Sequence, residues 1–204
     1  MTKEGNVLHV GTATGRVSRY LISKGLDYVG LEISKVMAAI THEALNGKGS
    51  IIRGDAEHLP FREGSFDNVV SVRSFHFLPH PDKFLNNAYS SLKPAGRLIV
   101  SFEKRVRGRE AFRMMMRLSR PIVKRTYYTN SEVALMIRGA GFTTLFMGNV
   151  TKLPMLAYWN LKNDRILRRV HRMAPSTLGT VGMVVGIKQS SFVSKPMSYD
   201  LRSS

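Results

Sequence analysis

Short apolar segments alternate with stretches of helical periodicity over the first hundred residues, and this alternation restricts the fold more than any other feature. Residues favoured in β-structure predict five strands, namely Asn6–Val10, Tyr28–Glu32, Ser50–Arg53, Phe66–Val72 and Arg97–Ser101. The intervening sequence predicts helices from Gly15 to about Lys24, at Val36–Leu45 and at Asp82–Leu92. Strands joined through helices are parallel with right-handed crossovers, so their carboxyl ends share one edge. The pattern therefore predicts a doubly wound α/β sheet.

The same pattern resumes after a basic stretch in the middle of the chain. Ser131–Arg138 predicts a helix, and Phe142–Met147 and Val181–Ile187 predict two more strands. We expect one domain over residues 1–188, because a chain of 204 residues with 43% apolar residues can bury a core of that size. The Ser-rich end, residues 189–204, is expected to be a flexible tail.

Positive charge is concentrated in the second half of the chain. Residues 1–103 contain 12 Lys and Arg against 10 Asp and Glu, whereas residues 104–204 contain 19 against 4. Residues 104–125 and 151–178 each predict a basic amphipathic helix, and as insertions late in the fold they are expected to form a lid over the substrate. Such a field attracts phosphate, nucleic acid or an anionic membrane surface. The alternative is that these side chains face water and only confer solubility.

The absence of certain sequence features narrows the function. The chain has no cysteine, which excludes disulfides, thiolate metal sites and a cysteine nucleophile. His58, His76 and His80 have no accompanying acidic cluster, so no metal site is predicted. No apolar run is long enough to span a membrane, and Met1–Gly5 does not begin a signal peptide. We expect a cytoplasmic protein, with peripheral contact to a membrane left open.

A glycine-containing loop and an acidic strand end suggest a nucleotide-like ligand. Gly11 and Gly15 lie between the first strand and its helix, where a missing Cβ lets backbone N–H groups approach a ligand. Glu32 ends the second strand, where a carboxylate can accept hydrogen bonds from both hydroxyls of a ribose. Taken singly, the glycines also suit an ordinary turn, and Glu32 suits a strand end that faces solvent.

Four segments resemble, in order and spacing, the motifs of class I (Rossmann-like) S-adenosylmethionine (SAM)-dependent methyltransferases. They are Val7–Gly15, Gly54–Phe61, Phe66–Ser71 followed by Phe75–Leu78, and Leu92–Leu98. Within that class the chain looks like the small-molecule group that includes ubiquinone and menaquinone methyltransferases. The resemblance implies a mostly parallel seven-stranded sheet, SAM as cofactor and methyl transfer to a small acceptor. The second and third segments favour SAM over the nicotinamide cofactor of a dehydrogenase.

Carried onto this sequence, the resemblance assigns cofactor contacts to His9, Gly11, Thr12, Ala13, Gly15, Glu32, Ile33, Asp55, Ala56, Ser71 and Arg73. It places the glycine-containing loop around the methionine end of SAM and Glu32 at the ribose. Asp55 and Ala56 would flank the adenine, and Ser71 and Arg73 would border the sulfonium and the acceptor pocket. His76 is the candidate catalytic base if the acceptor must lose a proton, although a histidine within an apolar run also suits packing.

Departures from the family pattern leave two other functions open. The family usually has an acidic residue at the position of His9, glycine at that of Ala13, and helices before the first strand. These departures are compatible with a non-catalytic SAM-fold binding protein. A pI of 10.6 is compatible with an RNA or DNA methyltransferase, but Ser71–Ser74 does not match the motif of base amino methyltransferases. We favour a small acceptor that is anionic or lipid-like, because arginine suits carboxylates and phosphates.

Overall fold

Seven strands form a single sheet in a computed structural model that describes residues 5–105, 125–150 and 180–189. In chain order the strands are β1 Asn6–Val10, β2 Asp27–Glu32, β3 Ser50–Arg53, β4 Phe66–Val72, β5 Leu92–Glu103, β6 Phe142–Asn149 and β7 Val181–Lys188. The helices are α1 Arg16–Ile22, α2 Lys35–Leu45, α3 Pro81–Ser91 and α4 Asn130–Gly139, with a short 3₁₀ turn at Phe75–Phe77.

The strand order is β3-β2-β1-β4-β5-β7-β6. Strands β1 to β5 pair in parallel, whereas β7 runs antiparallel to both β5 and β6. This arrangement confirms the predicted α/β sheet of seven mostly parallel strands. The chain leaves β1 towards β2 on one side and reaches β4 on the other, so a crevice opens between the carboxyl ends of β1 and β4.

Apolar side chains cover both faces of the sheet, as a parallel sheet requires. Along β1 the side chains alternate, so Leu8 and Val10 join the larger core cluster while Val7 joins the smaller one. The larger cluster includes α3 and α4 residues such as Phe84 and Ile137, and the smaller includes α1 and α2 residues. The strand ends that carry the candidate site therefore extend from a rigid, doubly covered platform.

Local sequence explains where the helices begin. The Ser34 hydroxyl accepts a hydrogen bond from the Met37 amide (3.3 Å) and caps α2. Thr129 and Glu132 exchange side-chain and backbone hydrogen bonds of 3.2 and 2.7 Å, which is a capping box at the start of α4. Asn46 ends α2 in the left-handed conformation that asparagine tolerates.

The sequence-based boundary of β5 is wrong. The helix before it ends at Ser91, and the strand begins at Leu92, five residues before the predicted start at Arg97. Leu92 already pairs with Phe66, and the register then shifts, so the predicted turn is an irregularity inside a continuous strand. A Lys93–Asp67 ion pair of 2.9 Å links the strands there. Pro94 and Gly96 locally predict a break between helix and strand, but local propensity contains no information about pairing with the neighbouring strand.

Most of the basic sequence falls outside the described residues. The predicted lid segments, 104–125 and 151–178, lie there except for residues 104, 105 and 125, and so does the tail except for residue 189. Their roles stay predictions. Within the described ranges, no helix combines the length and apolarity that crossing a membrane requires.

Candidate functional site

The end of β1 is locked to the end of β4 by a tight turn at Gly11. Its amide donates to the Leu31 carbonyl (2.8 Å), and its φ of 79° lies in the left-handed region. A Cβ at this position would lie 2.7 Å from the Ser74 hydroxyl oxygen. Ser74 in turn donates to the Val10 carbonyl (2.8 Å) and contacts the Ser71 hydroxyl (2.7 Å). Only glycine fits this turn. The contact with the buried Ser71 hydroxyl holds the Ser74 side chain in place.

Glu32 closes the glycine-containing loop from the second strand. The Ala13 amide donates to its Oε2 (2.9 Å) and the Ser34 amide donates to its Oε1 (3.1 Å), although only 8% of Glu32 is exposed. A carboxylate can accept about four hydrogen bonds. Two positions therefore remain, enough for the two hydroxyls of a ribose.

Thr41 on α2 holds the same loop from the opposite side. Its buried hydroxyl donates to the Ala13 carbonyl (2.6 Å) and lies 3.2 Å from the Thr12 hydroxyl. A Cβ on Gly15 would lie 3.2 Å from the Thr41 methyl group, closer than nearly all such contacts. The sequence analysis missed Thr41 and Ser74. A hydroxyl on the apolar face of α2 was the available signal for Thr41.

Ile33 and Asp55 lie beyond the ends of β2 and β3. Ile33 follows Glu32 and is 65% exposed, so it offers an apolar surface beside the carboxylate. The Asp55 side chain is half-exposed, and its Oδ1 accepts from the Glu57 amide (2.9 Å). Ala56 is buried beneath them. Glu57 accepts from the His80 amide (2.7 Å), which anchors the segment to the start of α3.

His9 belongs to a buried polar group under the loop. Its Nδ1 lies 3.1 Å from the Tyr28 hydroxyl and 3.3 Å from the Ser18 hydroxyl, and Tyr28 donates to Ser18 over 2.6 Å. Burial lowers the pKa of His9 to about 4 and raises the pKa of Tyr28, so both are neutral near pH 7. Nε2 of His9 is buried and makes no hydrogen bond within the described residues. A neutral imidazole thus replaces the usual carboxylate.

Charged side chains gather at the ends of β4 and β5. Arg73 has a φ of 57°, and its amide points at the carbonyl (3.0 Å) and hydroxyl (3.1 Å) of Ser101. Arg73 and Arg125 each approach Oε1 of Glu103 within 3.3 Å. Nε2 of His76 is 4.0 Å from the same oxygen. His76 is only 1% exposed.

The predicted site residues form two groups along one edge of the sheet, and Glu103 and Arg125, which the sequence did not predict, join the second group. We call Gly11, Thr12, Ala13, Gly15, Glu32, Ile33, Asp55 and Ala56 the cofactor edge, which lies over β1, β2 and β3. We call Arg73, His76, Glu103 and Arg125 the acceptor edge, which lies over β4 and β5. His9 and Ser71 are buried beneath them. A Cβ-free turn, an inward carboxylate and an exposed apolar side chain fit SAM. The described residues include no group of three or more side chains able to hold a metal ion.

Comparison with known proteins agrees with this geometry. The sequence profile of a methyltransferase domain matches residues 8–100. An uncharacterized methyltransferase of Geobacillus kaustophilus (strain HTA426) is 31% identical over 150 residues, covering 69% of this chain and 70% of the relative. The ubiquinone/menaquinone biosynthesis C-methyltransferase of Wigglesworthia glossinidia brevipalpis is 30% identical over 95 residues, covering 44% and 38%.

The fold is likewise that of solved methyltransferases. A SAM-dependent methyltransferase from Thermotoga maritima superposes with a TM-score of 0.68 at 23% identity, covering 91% of this chain and 83% of that one. Its likeness supports the fold, while the Geobacillus relative supports the family. The chain therefore belongs to the SAM-dependent methyltransferases of the class I, Rossmann-like fold, with SAM as the expected cofactor.

Proposed function

We propose that this enzyme transfers the methyl group of SAM to a small anionic acceptor by in-line displacement. The observation that carries the proposal is the adjacency of the two edges. Ser74, which packs against Gly11 of the cofactor edge, directly follows Arg73 of the acceptor edge. An in-line attack requires the acceptor on the far side of the methyl group from the sulfur. With adenosine over β2 and β3, that side is over β4 and β5.

The chain contributes positioning rather than covalent chemistry. When bound, SAM supplies a methyl group activated by a positively charged sulfur. The turn at Gly11 and the carboxylate of Glu32 would hold the cofactor in one orientation. The Gly11 amide is fixed by its hydrogen bond to Leu31 of β2, and the Glu32 carboxylate by the amides of Ala13 and Ser34. Fixed orientation converts binding energy into rate without a catalytic side chain. The residues of the acceptor edge then have to hold the acceptor in line.

No base from the chain is needed for an acceptor that is already nucleophilic, such as a carboxylate, a phenolate or a neutral amine. His76 was the sequence candidate for a base, but its buried ring packs on Phe77, with ring centroids 4.2 Å apart, and its Nε2 faces Glu103. We therefore assign His76 a supporting role beneath Glu103.

The acceptor is proposed to be amphiphilic. Phe77 is 38% exposed, and the Arg125 guanidinium carbon lies 5.1 Å from its ring centroid. A cation above a partly exposed aromatic ring suits a ligand with an anionic group and an apolar body. This supports the anionic or lipid-like acceptor expected from the sequence.

The test is a transfer assay with SAM labelled in its methyl group. Aromatic and acyl carboxylates and phosphates are compared with neutral amides and esters of the same skeleton, with transfer RNA as a further acceptor. We expect label in the anionic compounds, and much less of it with Glu32→Gln protein at the same SAM concentration, because that protein is expected to bind SAM more weakly. Equal labelling of the neutral counterparts would contradict an anionic acceptor. Labelling of RNA alone would replace this proposal with a nucleic-acid methyltransferase.

A further inference from the structure

We infer that Arg73 and Arg125 form the binding site for an oxyanion of the acceptor, and that Glu103 holds this site together before the acceptor arrives. The inference rests on the proposed function and specifies its substrate contact. The shared chemistry is a carboxylate or phosphate, carried either by a soluble molecule or by a lipid headgroup.

Arg73 has a strained backbone. A φ of 57° is unfavourable for a residue with a Cβ. The Ser101 carbonyl and hydroxyl, both within 3.1 Å of the Arg73 amide, keep it in this conformation. Glycine would adopt it without strain. A strained arginine at the mouth of the crevice points to a function for its side chain.

This cluster contains more arginine than acidic side chains. Glu103 is one carboxylate facing two guanidinium groups, so the three side chains together carry one net positive charge. The N···O distances of 3.3 to 3.5 Å are longer than those of strong charge-assisted pairs, about 2.7–2.9 Å. The side chains of Arg73 and Arg125 are 38% and 34% exposed, so each guanidinium group keeps accessible N–H donors that one carboxylate does not use. The site can therefore accept a second anion.

Other charged groups lie on the elements around this cluster. Arg105 is already paired with Glu132 (2.8 Å), so its charge is balanced at the start of α4. His76 lies beneath Glu103. The Thr126 amide donates to the backbone carbonyl of His76 (2.9 Å), and this hydrogen bond fixes the position of the neighbouring Arg125. Asp55 and Glu32 lie on the other side of the crevice, over β2 and β3. Among the described residues of the acceptor edge, Glu103 alone is acidic.

The experiment titrates inorganic phosphate into protein saturated with S-adenosylhomocysteine and follows the arginine side-chain Nε–H signals by NMR. We expect Arg73→Gln and Arg125→Gln each to weaken phosphate binding by about tenfold or more, since each removes charge-assisted hydrogen bonds. Arg138→Gln is the matched control, because Arg138 is exposed at the far end of α4. Glu103→Gln is expected to strengthen phosphate binding, because it removes the competing anion.

Unchanged phosphate affinity in both glutamine variants, or an equal loss in Arg138→Gln, would overturn the inference. The affinity for S-adenosylhomocysteine is measured on every variant and should not change. If the wild-type protein does not bind S-adenosylhomocysteine, the proposed function is wrong. Titration of phosphate into the cofactor-free protein then still tests whether Arg73 and Arg125 bind an oxyanion.

A second arm distinguishes the two sources of the oxyanion. Co-sedimentation with phosphatidic acid vesicles is compared with phosphatidylcholine vesicles. A loss of binding to the anionic vesicles in Arg73→Gln, but not in Arg138→Gln, supports a lipid headgroup. Equal binding by both variants, alongside the expected phosphate result, supports a soluble acceptor.

Discussion

The cofactor edge and the acceptor edge are built from different chemical groups. At the cofactor edge, backbone amides and carbonyls of the loop make the decisive contacts, as with Gly11 to Leu31 and Ala13 to Glu32. At the acceptor edge, charged side chains contact one another around Glu103. Backbone contacts survive many substitutions, provided that the turns persist, whereas side-chain contacts change with each substitution. We therefore expect cofactor binding in this protein to tolerate substitutions better than acceptor binding does.

His9, which stands where the family usually has an acidic residue, gives the largest effect expected at the cofactor edge. Because burial lowers the pKa of His9 to about 4, the unfolded chain binds a proton there below about pH 6.5 that the folded chain excludes. The stability contributed by neutral His9 is present above the unfolded pKa and is lost as the pH falls towards 4. We expect a loss of about 3 kcal/mol in the free energy of unfolding over that range.

The measurement is urea denaturation of wild type and His9→Asn across that pH range. The depressed pKa values of Asp67 and Glu132 also reduce stability in acid, but they do so equally in both proteins. The difference between the two curves therefore isolates His9. Parallel curves would show that His9 titrates normally and that the buried network is not intact in solution.

Gly11→Ala tests whether the cofactor edge depends on its backbone. The new Cβ meets Ser74 in a left-handed turn, so we expect a loss of about 2–3 kcal/mol in stability. Gly25→Ala is the matched control, since it has the same φ of 79° with no atom within 4 Å. It should cost only the backbone strain, about 1 kcal/mol. Equal costs in chemical denaturation would mean that the packing of Ser74 on Gly11 contributes nothing.

Glu103→Gln should affect the acceptor edge alone. It leaves two guanidinium groups without their shared carboxylate, so we expect a loss of about 1–2 kcal/mol in stability, partly screened by solvent. Affinity for S-adenosylhomocysteine should stay within a factor of about two. Glu63→Gln, at an exposed position, controls for the change in net charge. A large loss of affinity for S-adenosylhomocysteine in Glu103→Gln would show that the two edges do not act independently.

Ala13→Gly restores the glycine that the family usually has at this position, and it is expected to have the smallest effect. Ala13 has a φ of 49°, so glycine should stabilise the protein by about 1 kcal/mol. Ala95→Gly, at a φ of 62°, should stabilise to a similar degree. Only Ala13→Gly should also tighten nucleoside binding, because its methyl group lies at the cofactor edge. Thermal melts and calorimetry of both variants decide this point, and a gain in affinity from Ala95→Gly would contradict it.

Sequence reasoning succeeded where local rules determine structure. The alternation of strands and helices predicted the parallel sheet, and the glycines predicted the loop after β1, where Gly11 has a φ of 79°. It failed at β5, whose start depends on pairing between Leu92 and Phe66. It also missed Ser74, Thr41 and Glu103, because each acts through a residue at least 28 positions away. No local pattern indicates such a partner, so acceptor-side contacts were the least predictable part of the site.

The central claim is that Glu32 and the backbone of the loop hold the cofactor. Calorimetry of S-adenosylhomocysteine binding to wild type, Glu32→Gln and the exposed control Glu43→Gln tests it most directly. We predict that Glu32→Gln weakens binding by about 10- to 100-fold, because it removes charge from hydrogen bonds to the ribose and to Ala13. Glu43→Gln should match wild type. Equal affinity of all three proteins, or no binding by folded wild type, would contradict the account.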